Sequence, residues 1–208
     1  MTRWLTIFSL TVPSSWIAVL IAMAAAYSIV RVRADKAAAG LFADAAFWFI
    51  LVWKGSYILF HFGVFIRSPF SVLYYNGGTA GATLGLLSAL FFLYRKKAAD
   101  QDWLLTAAVS VQAVYQTAMV LLNRTGWLPG TVTIAGFLIL LTAVLIKNES
   151  SAGWTLQLAV LFPVVHLFIA AMQPEGVGGF PVIATAAFSV YFILQNVLLS
   201  KAERGAHE

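Results

Sequence analysis

The chain contains no cysteine. Disulfide staples, thiol redox chemistry and thiolate metal sites are therefore excluded. Charge is scarce too: 10% of the 208 residues are Asp, Glu, Lys or Arg, whereas a soluble domain carries about 25%. The three histidines, His61, His166 and His207, are too few and too scattered to form a metal-binding motif. No stretch is polar enough for a separate soluble domain, and the polar tail from Lys201 is eight residues long. The apolar runs lack strand-like alternation, so a membrane barrel is excluded as well.

Apolar sequence is what remains. The chain is 61% hydrophobic with a mean hydropathy of +0.87. A helix needs about 20 apolar residues to cross the hydrocarbon core. Seven runs qualify, at roughly 5–30, 41–66, 72–94, 103–122, 128–146, 153–172 and 180–199. The expected fold class is all-α: one polytopic membrane domain over residues 1–208 with seven transmembrane helices.

The basic residues set the expected topology. Arg31, Arg33, Lys36, Arg95, Lys96, Lys97, Lys147, Lys201 and Arg204 fall on one side, and only Arg3, Arg67 and Arg124 on the other. The N-terminus is thus expected outside and the C-terminus in the cytoplasm. The same clustering accounts for the net charge of +5 without invoking nucleic acid. The first run resembles a signal peptide at Arg3 and Ala24-Ala25-Ala26, but further membrane sequence follows it. Trp103 and Trp127, near run boundaries, are expected as interface anchors.

Glycine and polar groups crowd together in one place, Tyr74 to Gly85. Gly77, Gly81 and Gly85 recur every four residues and would form a smooth strip on one helix. Such a strip admits a neighbouring helix backbone, or a lipid, at close range. Asn76 stands where a helix cap would stand, and the amides of Gly77 and Gly78 could then hold an anion. Ser68-Pro69 favours a break ahead of this helix, which then starts near Gly77 after an outer loop.

Polar side chains inside apolar runs are costly and mark candidate sites. Lys54, Tyr57 and His61 fall at i, i+3 and i+7, on one helix face. A buried ammonium suggests a phosphate or carboxylate contact, or a tie to a carbonyl. Gln112, Gln116 and Asn123 in the fourth run suit interhelical hydrogen bonding. His166 follows Pro163 in the sixth run, and Gln195 and Asn196 read as structural in the seventh. His61, Asn76, Asn123 and His166 all fall in the outer half, which suggests one polar cavity there.

Two segments together resemble the bacterial prolipoprotein diacylglyceryl transferases. One is Trp53-Lys54-Gly55-Ser56-Tyr57-Ile58-Leu59-Phe60, with lysine where that family has arginine. The other is Asn76-Gly77-Gly78-Thr79-Ala80-Gly81, with asparagine in place of histidine, closed by Arg95-Lys96-Lys97. The resemblance covers roughly residues 10–127. It implies seven helices in the bacterial cytoplasmic membrane and a site towards the outer leaflet. It also implies transfer of a diacylglyceryl group from phosphatidylglycerol to a lipoprotein. The family's Arg-x-Gly-Asn stretch falls on Thr117-Ala118-Met119-Val120, and only its later asparagine has a match, at Asn123. Asparagine does not titrate near neutral pH, and lysine lacks arginine's two-pronged grip on phosphate.

The expectation is therefore a transferase-like membrane protein that binds a phospholipid head group, phosphatidylglycerol first, and is weak or inactive in transfer. Lys54, Tyr57, Asn76, Gly77, Gly78, Gln116 and Asn123 would contact the lipid. A lipoprotein or another membrane protein would be its partner, and no cofactor is called for. One alternative is an active transferase whose base has moved to His61 or His166. Another is a haem- or quinone-binding subunit using the same two histidines as ligands.

Overall fold

The computed structural model describes residues 3–7, 10–96, 102–147, 152–173 and 176–205; Lys97, counted above among the basic residues, lies outside them. The described chain is helical apart from one short hairpin and the connecting turns. Hydrocarbon offers no partner for backbone N–H and C=O groups, so an apolar run there satisfies them within its own helix. Five helices are long and apolar enough to cross a membrane. They are α1 (Ser14–Arg33), α2 (Lys36–Phe60), α6 (Asp102–Asn123), α7 (Trp127–Lys147) and α8 (Ala152–Ala171). Two further long helices, α5 (Gly78–Arg95) and α9 (Phe180–Gly205), bring the long helices among the described residues to seven.

The ends of the apolar runs differ from expectation in three places. The first run opens with an antiparallel hairpin, β1 (Trp4–Ile7) against β2 (Leu10–Pro13), and the helix starts only at Ser14. Pro13 forces this boundary: it sits at the helix cap in extended conformation, with no N–H to donate. The second run stops at Phe60, where His61 leaves helical geometry, and α3 (Phe62–Arg67) and α4 (Ser71–Tyr74) follow as short pieces. The third run, expected from residue 72, starts its long helix only at Gly78, close to the start near Gly77 that a preceding loop over 67–76 implies.

Five helices close a ring through successive contacts of α1 with α2, α2 with α5, α5 with α9, α9 with α6, and α6 with α1. Two patterns of small residues build it. Ser14, Ala18, Ala22, Ala26 and Val30 are fully buried at four-residue intervals on α1, which packs along α6. On α5 the glycine strip faces α2. A β-carbon at Gly77 or Gly81 would collide with the Ser56 hydroxyl, and one at Gly85 would lie 2.7 Å from the Phe49 carbonyl oxygen. The remaining long helices, α7 and α8, pack outside the ring on α6 and α9, with Phe137, Phe162 and Ile169 in the core between.

The Gly85 contact is with backbone, which has little room to yield. Gly85→Ala is expected to destabilise the protein by about 1–3 kcal/mol, the usual cost of overpacking. A lowered melting temperature in detergent reports it. Gly40→Ala, with nothing within 4 Å of the added carbon, should melt as wild type.

Candidate functional site

The ring lines a cavity of about 590 Å3 that is partly open to its surroundings. Its lining on α5 runs from Gly78 to Leu93, about 22 Å of helix at 1.5 Å per residue. Leu86, Leu90 and Leu93 of α5, Phe42 of α2, and Trp103 and Leu104 of α6 line the end near the α5–α6 connection. Polar groups gather towards the other end: Ser15, Asn76, Thr79, Gln112, Tyr115 and Thr185. Among the described residues that line it there is no Asp, Glu, Lys, Arg or His. Trp103 is 6% exposed and belongs to this lining, unlike the interface anchor expected of it; Trp127 is 82% exposed.

Of the face carrying Lys54, Tyr57 and His61, the first two side chains reach Tyr75. The Lys54 ammonium donates to the Tyr75 carbonyl at 2.9 Å and lies 3.8 Å above the centre of the Trp16 ring. The Tyr57 ring stacks on His61 at 4.8 Å and on Tyr75 at 5.7 Å. Lys54 and Tyr57 thus hold the segment before α5 against α2. The amides expected to bind an anion already have partners. Gly77 N–H donates to the Trp53 carbonyl at 3.1 Å, and Gly78 N–H to Asn76 Oδ1 at 2.8 Å. Gly78 has φ of +62°, the left-handed region that glycine tolerates and that this tight turn demands.

Asn123 works at the same end of the bundle but elsewhere. Its Oδ1 accepts from the Ser14 hydroxyl at 2.7 Å and from Arg3 N–H at 3.1 Å, tying the hairpin and the start of α1 to α6. Gln116 and His166 meet in a buried polar chain between α6, α7, α8 and α9. Gln173 donates to Thr133 Oγ1 at 3.1 Å and to Gln116 Oε1 at 3.5 Å. Gln116 Nε2 and His166 Nε2 are 3.1 Å apart, and His166 Nδ1 lies 2.7 Å from Thr185 Oγ1. The hydroxyls of Thr133 and Thr185 donate to the carbonyls of Pro129 and Pro181.

That chain assigns the histidine tautomer. The Thr185 proton goes to a carbonyl, so its oxygen accepts from His166 Nδ1–H. Nε2 then carries the lone pair and accepts from the Gln116 amide. His166 is fully buried with both ring nitrogens engaged, which leaves neither for a substrate proton or a metal. His61, exposed at the end of α2, lines neither cavity.

The single outer cavity expected from sequence is two. Asn76 lines the large one; Asn123, Gln116 and His166 line a second of about 240 Å3, and Tyr115, Gly179 and Pro181 line both. Two residues outside the expected lipid contacts matter most. Trp53 and Gln112 line the large cavity, and Trp53 Nε1 and Gln112 Oε1 are buried without a hydrogen-bond partner. Gln112 was visible in sequence as an intramembrane amide; Trp53 looked like one apolar residue among many.

Gln116→Leu would strand the His166 lone pair and one Gln173 donor. An orphaned buried polar group costs about 1–3 kcal/mol, so the variant is expected to melt below wild type in detergent, while His61→Ala melts unchanged. Comparison with known protein families, curated proteins and solved structures gives no match, and the functional reading rests on geometry.

Proposed function

We propose that this chain is a multi-pass membrane protein that holds a membrane lipid inside its ring of helices. Its frame would be like that of the prolipoprotein diacylglyceryl transferases, without their transfer chemistry. One observation carries the reading: the cavity of about 590 Å3 is long, aliphatic and aromatic at one end, and polar at the other. Its volume falls within the roughly 300–1,000 Å3 of small-molecule sites. In a chain this apolar, a hollow so lined suits hydrocarbon, with the head group at the Asn76 end.

The proposed topology has seven crossings of a bacterial cytoplasmic membrane with the N-terminus outside. Seven long helices and the one-sided distribution of basic residues support it. The lipid head would then lie towards the outer leaflet. A lipoprotein or other membrane protein receiving or sensing that lipid is the corresponding partner.

Transfer chemistry is the part the geometry supports least. A general base needs a free lone pair within reach of the proton it takes. The His166 lone pair is held by Gln116, His61 lies outside both cavities, and Asn76 does not titrate. The same bonds at His166 weigh against its use as a haem ligand. Phosphatidylglycerol, the lipid to which the family resemblance points, would bring its phosphate into a cavity with no cation among its described lining residues. Lys54 stands beside that cavity, not in its lining, on Tyr75 and Trp16.

Ala46 and Ala108 line the cavity from α2 and α6. The double variant Ala46→Phe/Ala108→Phe should fill it. Mass spectrometry of copurified lipid should show several-fold less lipid per protein than wild type at an unchanged melting temperature. Equal lipid content would remove the cavity as the site. Topology has a separate test, made clean by the absence of native cysteine. Thr125→Cys should react with an impermeant maleimide on intact cells, and Ala34→Cys only after permeabilisation.

A further inference from the structure

We infer that the outward face of α2 around Asp44 docks a helix of a second membrane protein, one that carries a lysine or arginine at the same depth. The inference is independent of what the large cavity holds. It rests on a carboxylate that the fold sets among lipid and does not use.

Depth comes first. Asp44 is the one charged residue between Lys36 and Lys54. It lies about 12 Å along α2 from Lys36 at 1.5 Å per residue. The 25 residues of α2 span about 37 Å, against a hydrocarbon core of about 30 Å. Centred on that core, the helix sets Asp44 about 8 Å inside it. The neighbouring helix agrees. Gly81 of α5 meets Ser56 and Gly85 meets Phe49, so the two helices run antiparallel and Asp44 is level with Leu90. That level is about 7 Å deeper than Arg95, at the end of α5. Aspartate has a single methylene and cannot reach back to water as a lysine does.

The Asp44 side chain is exposed on the outside of the bundle, and among the described residues nothing bonds to it. Carboxylates at membrane depth are costly, and they pair with other polar or charged groups. The residues around this one suit a helix. Gly40, Asp44, Phe47, Leu51 and Gly55 recur every three or four positions, which puts them on one face. Phe47 is 62% and Leu51 47% exposed. A β-carbon at Gly40 or Gly55 would meet nothing within 4 Å. Glycine on either side of the carboxylate lets a foreign backbone come close, and the two apolar side chains supply packing surface between. Charge decides the occupant. A second copy on the same face, related by a two-fold axis along the membrane normal, would set carboxylate against carboxylate. The next cation along α2, Lys54, is held at the Tyr75 carbonyl and the Trp16 ring. A partner that brings its own cation to this depth relieves the cost on both helices.

The test uses the full-length protein in phosphatidylcholine nanodiscs, with a donor fluorophore on Ala34→Cys; the lack of native cysteine makes that label unique. The probe is an acceptor-labelled transmembrane peptide of leucine and alanine with a single lysine about 8 Å inside one end of the hydrocarbon core. Companion peptides carry leucine or glutamate there. Energy transfer to the lysine peptide should exceed that to the leucine peptide several-fold, and the glutamate peptide should show no gain. Asp44→Asn should abolish the lysine preference at an unchanged melting temperature, and Asp44→Glu should keep it. Gly40→Ile should weaken binding of the lysine peptide, again without a change in melting, because the added side chain fills the space a partner needs. Equal transfer to the lysine and leucine peptides, or a preference that survives Asp44→Asn, would overturn the proposal. So would an Asp44→Cys variant that reacts with aqueous maleimide as fast as Lys36→Cys, since the carboxylate would then sit in water. A wild-type dimer that Asp44→Asn dissociates would make the occupant a second copy and overturn it too. Lipid in the cavity enters none of these readouts, so the lipid-binding proposal stands or falls apart from them.

Discussion

The close approach of α5 to α2 is the constraint from which the rest of the ring follows. With no side chain at Gly77, Gly81 or Gly85, α5 lies directly on Phe49, Trp53 and Ser56 of α2. Where burial of apolar surface drives little association, such backbone proximity is what holds two helices together. It also sets the rotation of α5. Once the glycines face α2, Ala82, Leu86, Ala89, Leu90 and Leu93 face the interior of the ring, and the hollow takes its aliphatic wall from them. The bond from Gly77 N–H to the Trp53 carbonyl fixes the height of α5 at the same time.

The second organising feature is the chain of neutral hydrogen bonds from Thr133 to Pro181. It begins and ends on carbonyl oxygens, those of Pro129 and Pro181, which accept and never donate. Every proton between them therefore has one direction. A network so determined fastens α7 and α8 to α6 and α9 and needs no charge inside the membrane. It also shows how deep the α8–α9 connection lies. Gln173 follows α8, yet it reaches Thr133 and Gln116, each six or seven residues inside its own helix. The bowl above is the smaller cavity.

Much of this was legible in the sequence, and the reasons are particular. Long apolar runs announced the helices because hydrocarbon leaves the backbone no alternative. The four-residue glycine period announced a close helix contact, and the intramembrane glutamines announced hydrogen bonds across helices. The partners of those bonds were not legible: threonines such as Thr133 and Thr185 are ordinary in apolar helices, and the Pro181 carbonyl belongs to every residue's backbone. The hairpin was hidden because Leu10 to Pro13 is as apolar as the helix after it, although Pro13-Ser14-Ser15 carried a start signal. Lys54 was legible as a costly group, but its carbonyl partner on Tyr75 depended on how residues 61–77 fold back. The cavity itself was hidden for a different reason. Alanines that leave space, such as Ala46 and Ala108, look the same in sequence as alanines that permit contact, such as Ala18 and Ala22.

The pairing of α1 with α6 bears on how the protein is made. Ser14 meets Asn123, 109 residues later in the chain. At synthesis rates of about 5–20 residues per second, the first helix waits roughly 5–20 s for its mate to emerge from the ribosome. Through that interval its alanine face lies against lipid or the insertion machinery, with no native neighbour but α2. The ring cannot close before α9, its last member in chain order, has been made.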